Sequence, residues 1–159
     1  MNVWLYHINP KSPQNWEYGW DLARPETLLA SRDKVWPAGN FFRMIKPGDR
    51  IAILMKNTGS ELGDGVYIVG EVTDVHEERR ELVWRPDIAR SAPLLDSPIP
   101  VPIVREHFGR GYGSALQRLP DDRQREWLRL IDDQAKPAAP RIRKTGRSRS
   151  GKGPQAANR

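Results

Sequence analysis

The stretch "IKPGDRIAILMK", residues 45–56, limits the possible folds more than any other. Pro47 and Gly48 mark a turn, and the nearly continuous apolar run at 51–55 reads as a strand. A second strand, "GVYIVGEVTDV", follows a connection over 57–65 rich in Gly, Asn and Ser. Nine residues exceed a tight hairpin turn, which marks that connection as a functional or mobile loop. "VWLYHI", residues 3–8, is β-branched and aromatic and ends at Asn9-Pro10, so it is a first strand. "ERRELVWRP" reads as another, closed by Pro86. Pro25 suits the first turn of a short helix within "RPETLLASR", residues 24–32. Pro98, Pro100 and Pro102 exclude a central strand or a helix interior until about residue 104. Two helical stretches are expected at 114–119 and 121–133. In the second, Trp127, Leu128 and Ile131 recur at helical spacing behind Asp121 and Asp122 as cap and first-turn acids. The fold class that follows is mixed α/β, a curved sheet or barrel with short helices at its ends.

At 159 residues the chain is long enough for one domain with a real core, to which six Trp, four Tyr and three Phe contribute. With no cysteine it has no disulfide, thiolate metal site or cysteine nucleophile. No apolar run approaches the ~18 residues of a membrane span. The start lacks a basic segment and a cleavage pattern, so a cytoplasmic location is expected, with no membrane partner. The net charge of +6 is unevenly spread. Residues 136–159 hold eight Lys and Arg and no acid, leaving 18 of the 26 basic residues against all 20 acidic ones, a net charge of −2, for 1–135. The expected organisation is therefore one domain over 1–135 and a disordered basic tail over 136–159. Nucleic-acid affinity in the folded part has to come from a local patch or pocket.

Catalytic signatures are lacking. His7, His76 and His107 lie far apart without metal-ligand spacing and read as surface or edge residues. There is no GxSxG, no P-loop and no paired-carboxylate pattern, so no catalytic residue, metal ligand or cofactor is assigned. "GRGYG", residues 109–113, could bring backbone N–H groups and Arg110 to a phosphate, although three alternating glycines also simply make a loop.

The tryptophan in "VWPAGN" stands in what reads as a turn, where it either plugs a core or offers a flat surface for stacking. Its context resembles a known family. A Trp-bearing first strand ending in "HINP", the "VWPAGN" turn, "MIKPGD" before an apolar strand, "YIVGEV", and "PIPVPIVRE" followed by "ALQRL" are together similar to the EVE domain family of the PUA-like superfamily, relatives of the YTH and ASCH domains. The resemblance spans about residues 2–134. It implies a pseudo-barrel of β-strands flanked by short helices, and a non-enzymatic module that holds a flipped, modified nucleobase in an aromatic pocket. Trp36 matches the tryptophan that forms a pocket wall, Asn9 the polar position after the first strand, and Asn40 the polar position after the tryptophan. Gly48-Asp49 and Gly70 match the family's "GD" and strand glycine. "HINP" stands where EVE domains usually carry "KSEP", so an amide replaces a carboxylate.

On this reading Trp36 borders an open, base-sized hollow and stacking on it returns about 1–3 kcal/mol. Asn9 reads the base edge, since an amide presents both donor and acceptor. A carbonyl near Pro37 can contribute, and Trp16 or Trp20 supplies a second wall. Arg43, Arg110 and the tail residues Arg141, Arg143, Lys144 and Arg147 contact the nucleic-acid backbone. The expected ligand is DNA or RNA carrying a modified base, methylated or hydroxymethylated cytosine first for DNA. Two alternatives stand beside it. A small ASCH-like ribonuclease would draw on Lys34, Arg43, Lys46 and Tyr67, and a PUA-type RNA-binding adaptor would ignore modification. Removing residues 136–159 is expected to flatten the salt dependence of oligonucleotide binding while preserving any preference for a modified base, measured by titration across a salt series.

Overall fold

The computed structural model describes residues 1–9, 29, 33–56, 58, 61–110 and 115–135. Its strands are β1 (Val3–Ile8), β2 (Lys34–Pro37), β3 (Arg50–Met55), β4 (Gly65–His76), β5 (Glu81–Pro86), β6 (Ile99–Pro100) and β7 (Leu116–Arg118). The helices are α1 (Ile88–Asp96), α2 (Val101–Phe108) and α3 (Gln124–Ala135). The main sheet runs β2-β5-β4-β3-β1-β7, with β6 pairing β4. β1 and β3 are parallel, and their neighbours pair antiparallel. Register breaks after Ile53 in β3 and Val72 in β4 bend the sheet. The architecture is mixed α/β, a bent sheet with short helices, as the PUA-like resemblance implies.

Strand alternation divides the core in two. Trp4, Tyr6 and Ile8 of β1 face one side with Ile51, Ile53 and Met55 of β3, against Trp36, Tyr67, Leu82 and Trp84. Val3, Leu5, Ala52 and Leu54 face the other, under Leu94 of α1, Val104 and Phe108 of α2, and Trp127 and Ile131 of α3. The near-continuous apolar run of β3 is thus buried on both faces, which is what its lack of alternation requires. Ser91 helps fasten α1: its hydroxyl accepts from the Val69 N–H and lies 3.0 Å from the Val69 carbonyl, to which it donates.

Several sequence expectations change. Residues 116–118 form a strand, not part of a helix, because they pair with Trp4, Leu5 and Tyr6 along the free edge of β1. α2 starts at Val101, before the expected limit, since Pro102 occupies its first turn where no N–H is needed. α1 was not expected at all; it is capped by Asp87, whose side chain accepts from the Arg90 N–H, and it carries Pro93 inside. His107 is buried, donating Nδ1–H to the Ile103 carbonyl at 3.0 Å, rather than a surface residue. Trp4 and Trp127 are core residues as expected. The helix expected at 24–32 lies outside the described residues apart from Leu29, and so does the tail.

Asp49 fastens the amino ends of β1 and β3. It is 3% exposed, and its carboxylate accepts from the Asn2 N–H and the Trp4 indole N–H, both at 2.9 Å, and from the Lys46 N–H at 3.0 Å. Asp49→Ala strands these donors and is expected to lower unfolding free energy by about 3 kcal/mol, read from urea denaturation. Gly70 faces a different constraint. A Cβ there would meet the Arg85 carbonyl and sit 2.7 Å from the Trp84 ring, so Gly70→Ala is expected to cost about 1–3 kcal/mol in the same assay.

Candidate nucleic-acid interface

β2 is an edge strand whose buried positions alternate: Lys34, Trp36 and the following Ala38 point inward, Val35 and Pro37 outward. Trp36 is therefore a strand residue and not part of a turn. It packs beside Tyr6, ring centroids 4.8 Å apart, and edge-on to Trp84 at 4.9 Å. Its exposure is 1%, and it lines none of the clefts described below, so the ring is enclosed where the sequence suggested an open hollow. The cause is register. Pairing of β2 with β5 sets Trp36 opposite Leu82 and Lys34 opposite Trp84, which turns all four toward the interior.

Two polar groups on this aromatic face stand out. Lys34 is 7% exposed, and among the described residues its ammonium group has neither a hydrogen bond nor a carboxylate within ion-pair distance. Burial pushes its pKa below the ordinary lysine value of 10.5. The indole N–H of Trp84, across the strand from it, is buried without an acceptor among the described residues. Both groups are donors, and unpaired buried donors of this kind cost stability. A perturbed lysine beside edge-packed rings is a candidate site with a physical rationale. Sequence reasoning placed Lys34 only in the ribonuclease alternative. Nothing in its local sequence marks it as inward-facing, since that depends on the β2–β5 pairing.

The other expected site residues are spread out. Asn9 and Asn40 are exposed, Asn40 within a 3-10 turn over Gly39–Arg43. The Pro37 carbonyl accepts from the Tyr6 hydroxyl at 2.7 Å, so it is already engaged. Arg43 lies over the Phe42 ring, 5.2 Å from its centroid, and Arg80 approaches the same ring at 5.4 Å. A guanidinium over a ring face is held there by attraction to the ring quadrupole. Arg110 is exposed at the end of α2, in a separate cleft. Tyr67 is buried, its hydroxyl donating to the Gly63 carbonyl at 2.5 Å, whereas Lys46 is exposed. Trp16, Trp20, Arg141, Arg143, Lys144 and Arg147 lie outside the described residues. Among the described residues no group of three or more His, Asp or Glu could hold a metal ion, and no helix is long and apolar enough to cross a membrane.

No protein-family model matches the chain, and no curated protein matches it by sequence. Solved structures with a similar course of the chain include a Pseudomonas putida protein, at 11% identity and TM-score 0.47, covering 81% of this chain and 99% of that one. Human THYN1 in complex with DNA containing 5-methylcytosine is similar at 13% identity and TM-score 0.45, over 86% of this chain and 99% of that one. A Pseudomonas syringae protein follows at 12% identity and TM-score 0.46, over 81% and 99%. These likenesses concern the path of the backbone; the ligand of this chain has to be argued from its own residues.

Lys34→Met replaces a buried charge by an apolar chain of similar length. It is expected to stabilise the protein by about 1 kcal/mol at neutral pH. A lysine pKa lowered by folding means that the unfolded chain binds more protons between the folded value and 10.5, so wild-type stability rises with pH across that window. The advantage of the variant should therefore shrink as pH approaches 10.5, in urea titrations at stepped pH.

Proposed function

We propose that the chain is a non-enzymatic nucleic-acid-binding module that recognises a modified base, methylated or hydroxymethylated cytosine in DNA first, through its aromatic face. The observation that carries this reading is the triad Lys34, Trp36 and Trp84: adjoining rings, with the Lys34 ammonium and the Trp84 indole N–H as buried donors that have no acceptor among the described residues. A cytosine ring presents what such a place lacks, a flat π-surface and carbonyl and ring-nitrogen acceptors. The EVE resemblance supports the same choice of tryptophan, and the basic tail supports a polyanionic partner.

Energetics set the requirement. Extruding a base costs a few kcal/mol, and stacking on an indole returns about 1–3. A methyl buried in an apolar corner adds roughly 1 kcal/mol. Pairing a donor that is already buried adds more than the same bond made from water, because its desolvation has been met in folding. Since Trp36 is enclosed, binding has to uncover its ring, so part of the stacking gain offsets that rearrangement. Affinity for an isolated modified nucleoside is accordingly modest, and contacts to the strand supply the rest. Asn9, exposed at the end of β1, is the group assigned to the base edge, and Arg43 to the backbone.

Trp36→Ala would empty the core and cost about 3–5 kcal/mol in stability, so it cannot test the role. Trp36→Phe keeps a ring there. It is expected to cost about 1–2 kcal/mol of stability yet leave the protein folded, and to weaken binding to an oligonucleotide containing 5-methylcytosine by about 1 kcal/mol well below the melting transition, with fluorescence anisotropy as the readout. Equal wild-type affinity for methylated and unmethylated strands would overturn base recognition, and cleavage of labelled RNA on incubation would overturn the non-enzymatic reading.

A further inference from the structure

At the carboxyl ends of the parallel pair β1 and β3, on the helix-covered face, a cleft of about 100 Å³ opens between His7, Lys56, Arg105, Arg110 and Gln117. Alternation along β1 and β3 delivers His7 and Lys56 to this side, the last turn of α2 brings Arg105, and β7 brings Gln117. The polar lining is specific. Gln117 donates its amide N–H to the Arg110 carbonyl at 3.2 Å and to that of Phe108 at 3.5 Å. Its oxygen is thereby left to face His7, and the 2.6 Å contact from His7 Nε2 makes that nitrogen the donor. In the neutral ring, Nδ1 is then the unprotonated nitrogen.

Three cations share the cleft, and among the described residues no carboxylate lines it. Among the described residues none of Lys56, Arg105 and Arg110 forms an ion pair, although Arg90, Arg118 and Arg85 all have acid partners elsewhere. The C-terminal end of α2 does not account for them, since a helix dipole presents about half a negative charge against three full positive ones. About 100 Å³ exceeds three times the volume of a water molecule and admits a tetrahedral anion. Burial, followed by the charges of Lys56 and Arg105, lowers the His7 pKa below 6.5, the hydrogen bond to Gln117 opposing. The lowering favours the neutral imidazole at pH 7, and negative charge entering the cleft favours its protonation.

We propose that this cleft is a phosphate seat, in which Lys56, Arg105 and Arg110 hold a phosphate oxyanion of a nucleic-acid strand and His7 tightens the grip by taking up a proton. The strand as source rests on the reading above; the phosphate chemistry does not. Linkage fixes the sign: an anion that raises the His7 pKa binds more tightly as pH falls through the range in which His7 titrates. Among the described residues the charged groups facing His7 are Lys56 just after β3, Arg105 from α2 and Arg110 from the segment after it, all of one sign.

The test uses the full chain and two probes whose charge is constant between pH 5 and 8, inorganic sulfate and an unmodified oligothymidylate. The His7 imidazole is followed by NMR. Each probe is expected to raise the His7 midpoint, and oligothymidylate affinity should rise several-fold from pH 8 to pH 5.5. Lys56→Gln with Arg105→Gln should reduce that affinity about tenfold at low salt and abolish the His7 response. Arg129→Gln, which removes one exposed charge of α3 outside the cleft, should leave the His7 response intact. A His7 midpoint unmoved by both probes overturns the seat. A response to sulfate alone overturns the strand as source and keeps an anion site. Base recognition is scored separately: the double variant should lower affinity for methylated and unmethylated strands by the same factor, so losing the seat and losing base preference give different results.

Discussion

The buried carboxylate of Asp49 is the contact on which the rest of the sheet is built. Accepting from Asn2, Trp4 and Lys46 at once, it joins the chain start to a turn more than forty residues later. β1 and β3 are parallel, so no hairpin can set their register. The carboxylate does so at their amino ends, where the Arg50 N–H also donates to the Asn2 carbonyl. One residue of slip would exchange Trp4, Tyr6 and Ile8 with Val3, Leu5 and His7, and every assignment of face in the molecule with them. Both candidate sites therefore depend on a bond far from either.

What the sequence disclosed follows from how local each signal is. The turn at Pro47-Gly48, the apolar run after it, and the spacing of Trp127, Leu128 and Ile131 are local, and the corresponding elements are present. β7 is misread because Ala115, Leu116, Gln117 and Leu119 favour helix on their own, while the open edge of β1 offers three ladder pairs that outweigh the preference. α1 is hidden by Pro93, a breaker in isolation, accepted here because Leu94 and Ser91 anchor the helix on β4. Trp36 is the instructive case. Pro37, Ala38 and Gly39 behind it look like a turn, yet pairing with β5 extends the strand through Pro37, at an edge where a missing N–H is tolerated.

The sites were less legible than the fold because each consists of residues brought together by pairing rather than by spacing. Lys34 and Trp84 meet across strands fifty residues apart, and His7 meets Gln117 across 110. Arg110 could be singled out from "GRGYG", but its companions could not. A lone histidine in a strand and a lysine just past another carry no common motif.

Where the chain leaves polar groups unmatched is itself informative. Elsewhere it matches them closely: Arg90 with Asp87 and Asp132, Arg118 with Asp121 and Asn2, Asp49 with its three donors. The buried Trp84 indole N–H on the aromatic face lacks an acceptor among the described residues, and three cations line the cleft beside His7. Among the described residues neither set is lined by a carboxylate, which is the observation behind the two proposals of an acceptor-bearing, anionic ligand. β1 connects the two, with Tyr6 against Trp36 on one side and His7 in the cleft on the other, consecutive residues about 3.3 Å apart along the strand. On the proposed function, a strand of nucleic acid crossing the carboxyl end of β1 would reach the phosphate seat on one face and, once its ring is uncovered, Trp36 on the other. Each site alone has a modest energy, and tethering through one ligand raises the effective concentration of the second contact once the first is made. On these proposals, selectivity for the base and affinity for the backbone can be set independently, since the two sites draw on different elements and meet only through β1.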